Sequence, residues 1–179
     1  MRIIAGQWRG RKIVTPKGDA TRPTVDRVRE ALFSMLVSRV GSFEGLAVAD
    51  LFAGSGALGL EALSRGAASC LFVEQDGAAL DALRANLKTL GATGDVRAQS
   101  VMALPPATRP VDLMLLDPPY GTGAGAVALD RLLRLGWVSP ASWVSVETAR
   151  DEPVVVAGFT VDAERQHGKA RLTLLRPDD

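Results

Sequence analysis

From residue 46 onward, short apolar runs alternate with stretches of helical periodicity, and this alternation restricts the fold more than any other property of the chain. The run at 46–52 is short and apolar, so it reads as a buried strand, and 70–74, 96–99, 111–116 and 143–147 read as further short strands. Between them, 57–65, 76–90 and 125–135 carry helical patterns, the first stopped by Gly66 and the second closed by Gly91. Strands alternating with helices predict a parallel sheet covered on both faces, and right-handed crossovers make it doubly wound. Two further runs, 159–165 and 169–176, face each other across Gly168 and predict a terminal antiparallel hairpin. The expected fold is therefore α/β: a doubly wound, Rossmann-like sheet, mostly parallel with an antiparallel C-terminal strand. Apolar residues make up 47% of 179, enough for one core.

The first 40 residues follow another pattern. Residues 2–5 and 12–15 read as two short strands around a turn at 6–10, followed by a polar linker at 19–23. A helix then starts near Thr24 or Asp26, with Val25, Val28, Leu32, Met35 and Leu36 on one apolar face. This segment holds nine Lys/Arg against three acids, a balance of +6, whereas residues 41–179 carry −5. The chain thus divides into a basic extension, 1–40, and a sheet domain, 41–179. Such asymmetry suits contact with a polyanion, and it also suits a solvated basic face. Cys70 is the single cysteine and the first residues lack the apolar stretch of a signal peptide, which fits a reducing cytoplasm. No run of about 18 apolar residues would span a membrane.

Asp50-Leu51-Phe52-Ala53-Gly54-Ser55-Gly56 sits where a strand gives way to a helix. Glycines there allow positive φ and close approach of a ligand, and the helix N-terminus behind them favours negative charge. Glu74 ends the next strand, where a carboxylate can accept both hydroxyls of a ribose. Gly54-x-Gly56-x-x-Gly59, with Glu74 twenty residues past Gly54, also matches a dinucleotide fingerprint. Against a nicotinamide enzyme stand Asp50, an acid suited to an amino-bearing ligand, and the lack of a proton donor other than His167.

Asp117-Pro118-Pro119-Tyr120 follows the strand at 111–116. Two prolines fix φ and remove two donors, so the turn offers carbonyls and the Asp117 carboxylate as acceptors for an –NH₂ group. An amine on a base or amide is a poor nucleophile because its lone pair is delocalised. Hydrogen bonds that pull it toward tetrahedral geometry localise that pair. Tyr120 offers a flat face for an extruded base, a contact worth about 1–3 kcal/mol. All these elements follow strands, so they should converge on one sheet edge.

Taken together, Asp50 to Gly56, Glu74 and Asp117 to Tyr120 resemble the class I methyltransferases that act on exocyclic nitrogen. Arg2-Ile3-Ile4-Ala5-Gly6, Trp8-Arg9-Gly10-Arg11, Arg22-Pro23-Thr24 and Asp26-Arg27-Val28-Arg29-Glu30-Ala31-Leu32-Phe33 narrow this. They are similar to the RsmD-type bacterial 16S ribosomal RNA guanine-N2 methyltransferases. The resemblance implies methyl transfer from S-adenosyl-L-methionine to N2 of a guanine, releasing S-adenosyl-L-homocysteine. Asp50 and the loop Gly54, Ser55 and Gly56 would hold the methionine part and Glu74 the ribose, with Phe52, Ala53, Gln75, Ser100 and Val101 also binding the cofactor and Arg22 and Thr24 flanking the pocket. Asp117, Pro118, Pro119 and Tyr120 would hold the guanine. Trp8, Arg9, Arg11, Lys12, Arg27 and Arg29 would contact RNA. The implied partner is 16S rRNA, free or within a 30S particle, met by a monomer without a metal or a membrane.

The chain departs from that pattern where Ser100 stands in place of an expected adenine-binding acid, which weakens the acceptor there. His167-Gly168 stands where Tyr-Gly is expected. Other readings stay open: amino-methylation of DNA or another RNA, or an RNA-binding module with weakened catalysis. Glutamine methylation of a protein is disfavoured because those enzymes typically carry Asn where this chain has Asp117.

Overall fold

The structure, a computed structural model, describes residues 1–16 and 22–179, with side chains at 22–24 excepted. After a hairpin at 1–14 come α1 (Arg22–Val40), β1 (Ala47–Leu51), α2 (Ala57–Ser64), β2 (Ser69–Glu74), α3 (Gly77–Leu90) and β3 (Asp95–Ala98). A 3-10 turn at Val101–Ala103 leads to β4 (Leu113–Leu116), α4 (Ala124–Arg134), β5 (Trp143–Ala149), β6 (Phe159–His167) and β7 (Ala170–Pro177). The strands form one seven-stranded sheet in the order β3-β2-β1-β4-β5-β7-β6. Five are parallel; β7 runs antiparallel between β5 and β6. This is the doubly wound sheet with the antiparallel end that the alternation implies.

Alternate residues on each strand enter different layers, as a pleated sheet requires. Val48, Cys70, Phe72, Leu113 and Leu115 face a layer built from α1, α2, α3 and the N-terminal hairpin. Ala49, Leu51, Leu71, Val73, Met114 and Leu116 face α4 and Trp137 on the other side. Phe33, Phe72 and Leu36 are fully buried in the first layer. Asp76 caps α3 by accepting the Ala79 N–H at 3.0 Å, and Gly91 ends it in the left-handed region.

The N-terminal segment belongs to the same core. Ile3 and Ile13 are buried beside Leu32, Phe33 and Leu36 of α1. Residues 2–5 and 12–15 are not extended strands: one antiparallel bridge, Arg2 to Lys12, joins them, with Ile3 and Ile13 N–H donating to the Arg11 and Met1 carbonyls, while the N–H groups of Ile4, Ala5, Gln7 and Trp8 turn to α2. Glu61, fully buried on α2, accepts the N–H groups of Ile4 at 2.9 Å and Ala5 at 3.0 Å. Its carboxylate also pairs with Arg65 Nε at 2.9 Å and lies 3.6 Å from Arg29 Nε. Arg29 donates to the Arg2 carbonyl as well. A buried carboxylate held by two cations and two N–H groups is compensated; removing it would strand Arg29. α1 begins at Arg22, two residues before the expected cap. Residues 19–21 of the expected 19–23 linker lie outside the described residues, and 22–23 fall within α1.

Candidate active site

Sheet register lines up four residues that lie far apart in the chain. Leu51 pairs with Val73 on one side and Leu116 on the other, and Leu116 pairs with Val146. The next residues, Phe52, Glu74, Asp117 and Glu147, therefore form a row along the carboxyl edge, where such sheets bind ligands.

The loop after β1 turns sharply. Phe52 takes φ 56°, an uncommon value for an aromatic, followed by Gly54 at 57° and Gly56 at 87°. Ala53 N–H donates to the Val73 carbonyl at 3.0 Å, which ties the turn to β2. A Cβ at Gly54 would meet nothing within 4 Å, so its face is open, whereas one at Gly56 would strike Leu83 at 2.4 Å. The two glycines thus do different work: Gly54 leaves room, and Gly56 lets α3 pack close. Ser55 is buried and its carbonyl accepts from Asn86 of α3 at 3.0 Å. Asn86 also bonds Val14 in both directions, at 2.8 and 2.9 Å, and so joins the N-terminal segment to this loop.

Asp50 is buried beneath α2, where one carboxylate oxygen accepts the Gly59 N–H at 2.8 Å. Its other oxygen is buried with no hydrogen-bond partner among the described residues. Burial, opposed by the Gly59 bond and aided by Glu74, pushes the Asp50 carboxyl up to about 8.

Glu74 accepts from Gly54 N at 2.8 Å, and from Gln75 N and Asp76 N at 2.9 and 2.8 Å. A carboxylate has about four acceptor sites, so these three bonds leave about one open. Phe52, Val73, Glu74, Gln75, Gln99 and Val101 line a narrow cleft of about 30 Å³ at this edge. Ser100 Oγ accepts the Met102 N–H at 3.1 Å, so this side chain caps the 3-10 turn. The neighbouring Gln99 instead has a buried Nε2 without a partner among the described residues.

Asp117 N–H donates to the Leu51 carbonyl at 3.4 Å, which sets the Asp-Pro-Pro-Tyr turn beside the glycine loop. Water reaches the Asp117 carboxylate, yet protein surrounds it closely. That crowding, then the like charges of Glu147 and Asp50, holds its carboxyl well above the usual carboxylate range. Burial raises Glu147 too, partly offset by a bond that it accepts from Tyr120 Oη at 2.6 Å. Burial and the same carboxylate raise the Tyr120 phenol. Tyr120 is nonetheless 45% exposed, which leaves it accessible at the surface. The Pro119 carbonyl is taken by the Thr122 hydroxyl at 2.8 Å, against the expectation that both turn carbonyls are free. Glu152 braces the turn by accepting from Gly121 at 2.9 Å, Gly123 at 3.2 Å and Ala149 at 3.1 Å. Those three N–H groups, Gly121's foremost, hold its carboxyl below the ordinary value despite some burial.

The expected RNA contacts divide. Arg9, Lys12 and Arg27 are exposed. Arg11 is exposed but donates to the Thr89 carbonyl at 2.8 Å, and Trp8 is half-buried against the core. Arg29 is corrected: it is 3% exposed, and its side chain serves Asp26, Glu61 and the Arg2 carbonyl rather than a ligand. The side chains of Arg22 and Thr24, expected beside the cofactor, lie outside the described ones. Sequence reading missed Glu61, Asn86, Glu147, Glu152 and Gln99. Glu147 and Gln99, each the last residue of an anticipated strand, carried a positional signal that could have found them.

A family model described as Conserved hypothetical protein 95 matches residues 1–176. The chain is 38% identical over 178 residues to ribosomal RNA small subunit methyltransferase D of Escherichia coli, covering 97% of this chain and 88% of that one. The enzyme of the same name from Haemophilus influenzae is 38% identical over 161 residues, 87% of this chain and 82% of that one. Among solved structures, the Escherichia coli protein yhhF, described as a methyltransferase, superposes with a TM-score of 0.85 at 34% identity, covering 100% of this chain and 98% of that one. With a family model over residues 1–176, relatives at 38% identity and a superposition over the whole chain, the chain belongs to the RsmD-type methyltransferase family.

Proposed function

We propose that this chain transfers a methyl group from S-adenosyl-L-methionine to the exocyclic N2 amine of a guanine in small-subunit ribosomal RNA. The observation that carries the reading is the adjacency of two sites on one sheet edge. Asp117 bonds back to Leu51, so the amine-accepting turn abuts the open glycine loop.

The residues fit an adenosyl-amino-acid ligand. Asp50 keeps a buried acceptor without a partner, suited to an ammonium group. Gln99 keeps a buried donor in the cleft beside Phe52 and Val101. A primary amide can both donate to and accept from the edge of adenine, so Gln99 takes the place that Ser100 was expected to hold. Glu74 has one site left for a ribose hydroxyl. When bound, S-adenosyl-L-methionine supplies an electrophilic methyl group on a sulfonium centre.

Asp117 and the Pro118 carbonyl accept the two N–H bonds of the amine and localise its lone pair. Tyr120 supports the base by stacking, and Glu147, bonded to its hydroxyl, fixes the ring's direction. Transfer then rests on alignment. The amine grows acidic as it is methylated, and the raised carboxyl of Asp117 is suited to take the released proton. Arg9, Lys12 and Arg27 offer a basic surface on the N-terminal side.

Labelled methyl transfer to RNA from unmodified small subunits, followed by nucleoside mapping, tests the reading. N2-methylguanosine is the expected product. N6-methyladenosine would sink it, and RNA binding without any transfer would favour the binding-module alternative.

A further inference from the structure

We infer that the open cavity beside Tyr120, between the end of β5 and the β6–β7 turn, seats the phosphates that flank the target nucleotide. The inference rests on the RNA reading above and deepens it by naming the surface. The cavity measures about 710 Å³ and is lined by Tyr120, Arg150, Asp151, Gln166, Lys169 and Arg171, among others.

Charge is the first reason. The groups around Tyr120 are acidic: Asp117, Glu147 and Glu152, with Asp50 below. A base stacked on Tyr120 remains joined to two phosphates, which this cluster would repel. A neighbouring surface must therefore supply cations, and the cavity that shares Tyr120 does so. Three of its side chains are cationic against one acid. Arg171 is matched by Glu164 at 2.6 Å. Arg150 and Lys169 are exposed and form no ion pair among the described residues.

Rigidity is the second reason. Arg150 N–H donates to the Lys169 carbonyl at 2.9 Å, and Arg150 Nη1 to the Gly168 carbonyl at 3.1 Å. Arg171 Nε donates to the Arg150 carbonyl at 3.0 Å. Gly168 takes φ 61°, which the tight turn requires. Both cations thus rise from one bonded backbone frame, and the Arg150 guanidinium is already directed by Gly168, so less ordering is needed on binding than on a loose loop.

Shape is the third. A wide, open trough suits a strand that passes through, whereas small ligands are usually enclosed. The N-terminal hairpin offers no equivalent, because its turn packs on Ser64 and Thr89 at the C-terminal ends of α2 and α3. In a parallel βα unit those ends lie away from the reacting edge.

The test compares wild type with R150A/K169A, measuring binding of unmodified small-subunit RNA across a salt series. S-adenosyl-L-homocysteine affinity and melting temperature serve as controls. The double variant should bind RNA about 10- to 100-fold more weakly. Its log K against log salt slope should fall by about one to two, one for each phosphate no longer neutralised. Cofactor-product affinity should stay unchanged, and R150K/K169R should restore most of the slope. An unaltered slope and affinity, with wild type binding and methylating RNA, would overturn the groove assignment alone. Wild type that neither binds nor methylates RNA would overturn the RNA reading and the groove with it.

Discussion

The N-terminal hairpin at 1–14 and the C-terminal hairpin of β6 and β7 flank the same sheet but use their polar side chains differently. The first is strongly basic along the chain. Yet Arg29, one cation of α1, is buried against Glu61, Arg11 is bonded to Thr89, and the N–H groups of Ile4, Ala5 and Trp8 are spent on Glu61 and Ser64. The second has mixed charge. Its turn, with the neighbouring end of β5, brings Arg150 and Lys169 to the wall of Tyr120's cavity, and β5 supplies Glu147. Charge density along a sequence says where cations are made. Packing decides which of them meet solvent and which meet the site.

The comparison would break first if the chemistry did not lie on the β4–β5 side. Asp117→Ala should lower methyl transfer on the order of 100- to 1,000-fold, the scale of losing a positioned polar group. Affinity for S-adenosyl-L-homocysteine, measured by calorimetry, should be nearly unchanged; loss of that affinity would mean that Asp117 belongs to the cofactor site.

The structural role of the N-terminal side is tested by Glu61→Ala. Stranding Arg29 and two backbone N–H groups should cost about 3–5 kcal/mol in denaturant unfolding. A change below about 1 kcal/mol would show that the hairpin is a loosely held arm.

A third measurement uses pH. Ionised Asp117 accepts the amine, and its carboxyl is raised by crowding and by Glu147, so kcat/KM should climb with pH above the ordinary carboxylate range. Glu147→Gln removes that neighbouring charge and should move the rise to lower pH; the pair titrates together, so the shift belongs to the couple. Stability has its own pH dependence through Asp50, whose folded value near 8 lies above its unfolded one. Its contribution is fully present below about pH 4, the ordinary carboxylate value, and is lost as pH rises toward 8. Melting scans should show that decline in wild type and a flatter profile in Asp50→Asn.

The smallest effect is expected from Arg9→Ala with Lys12→Ala. Removing these exposed cations should lower the salt slope of RNA binding by about one or less. If it lowers the slope more than R150A/K169A does, the ranking of the two hairpins is reversed.

Elements and their order were legible in the chain because they depend on local pattern: period two against 3.6, glycines at helix ends, and Asp76 as a cap. Asp117 to Tyr120 and the glycine loop were legible because prolines and glycines restrict a backbone wherever they stand. Glu147 restricts no backbone and carried only its position at the end of an anticipated strand. It joins the site through the β4–β5 register, which hydrogen bonds set between residues about thirty apart. The 3-10 turn, unanticipated from sequence, claims the Ser100 hydroxyl as its cap, which is why the proposed adenine contact falls to Gln99. Local chemistry by itself thus determined the fold class, the strand-end loops and the amine-accepting turn. Only the tertiary structure decided that Arg29 and Asp50 are buried, that Glu147 orients Tyr120, and which cations border the site. Burial and pairing depend on neighbours brought together by long-range packing, and no short window of sequence contains them.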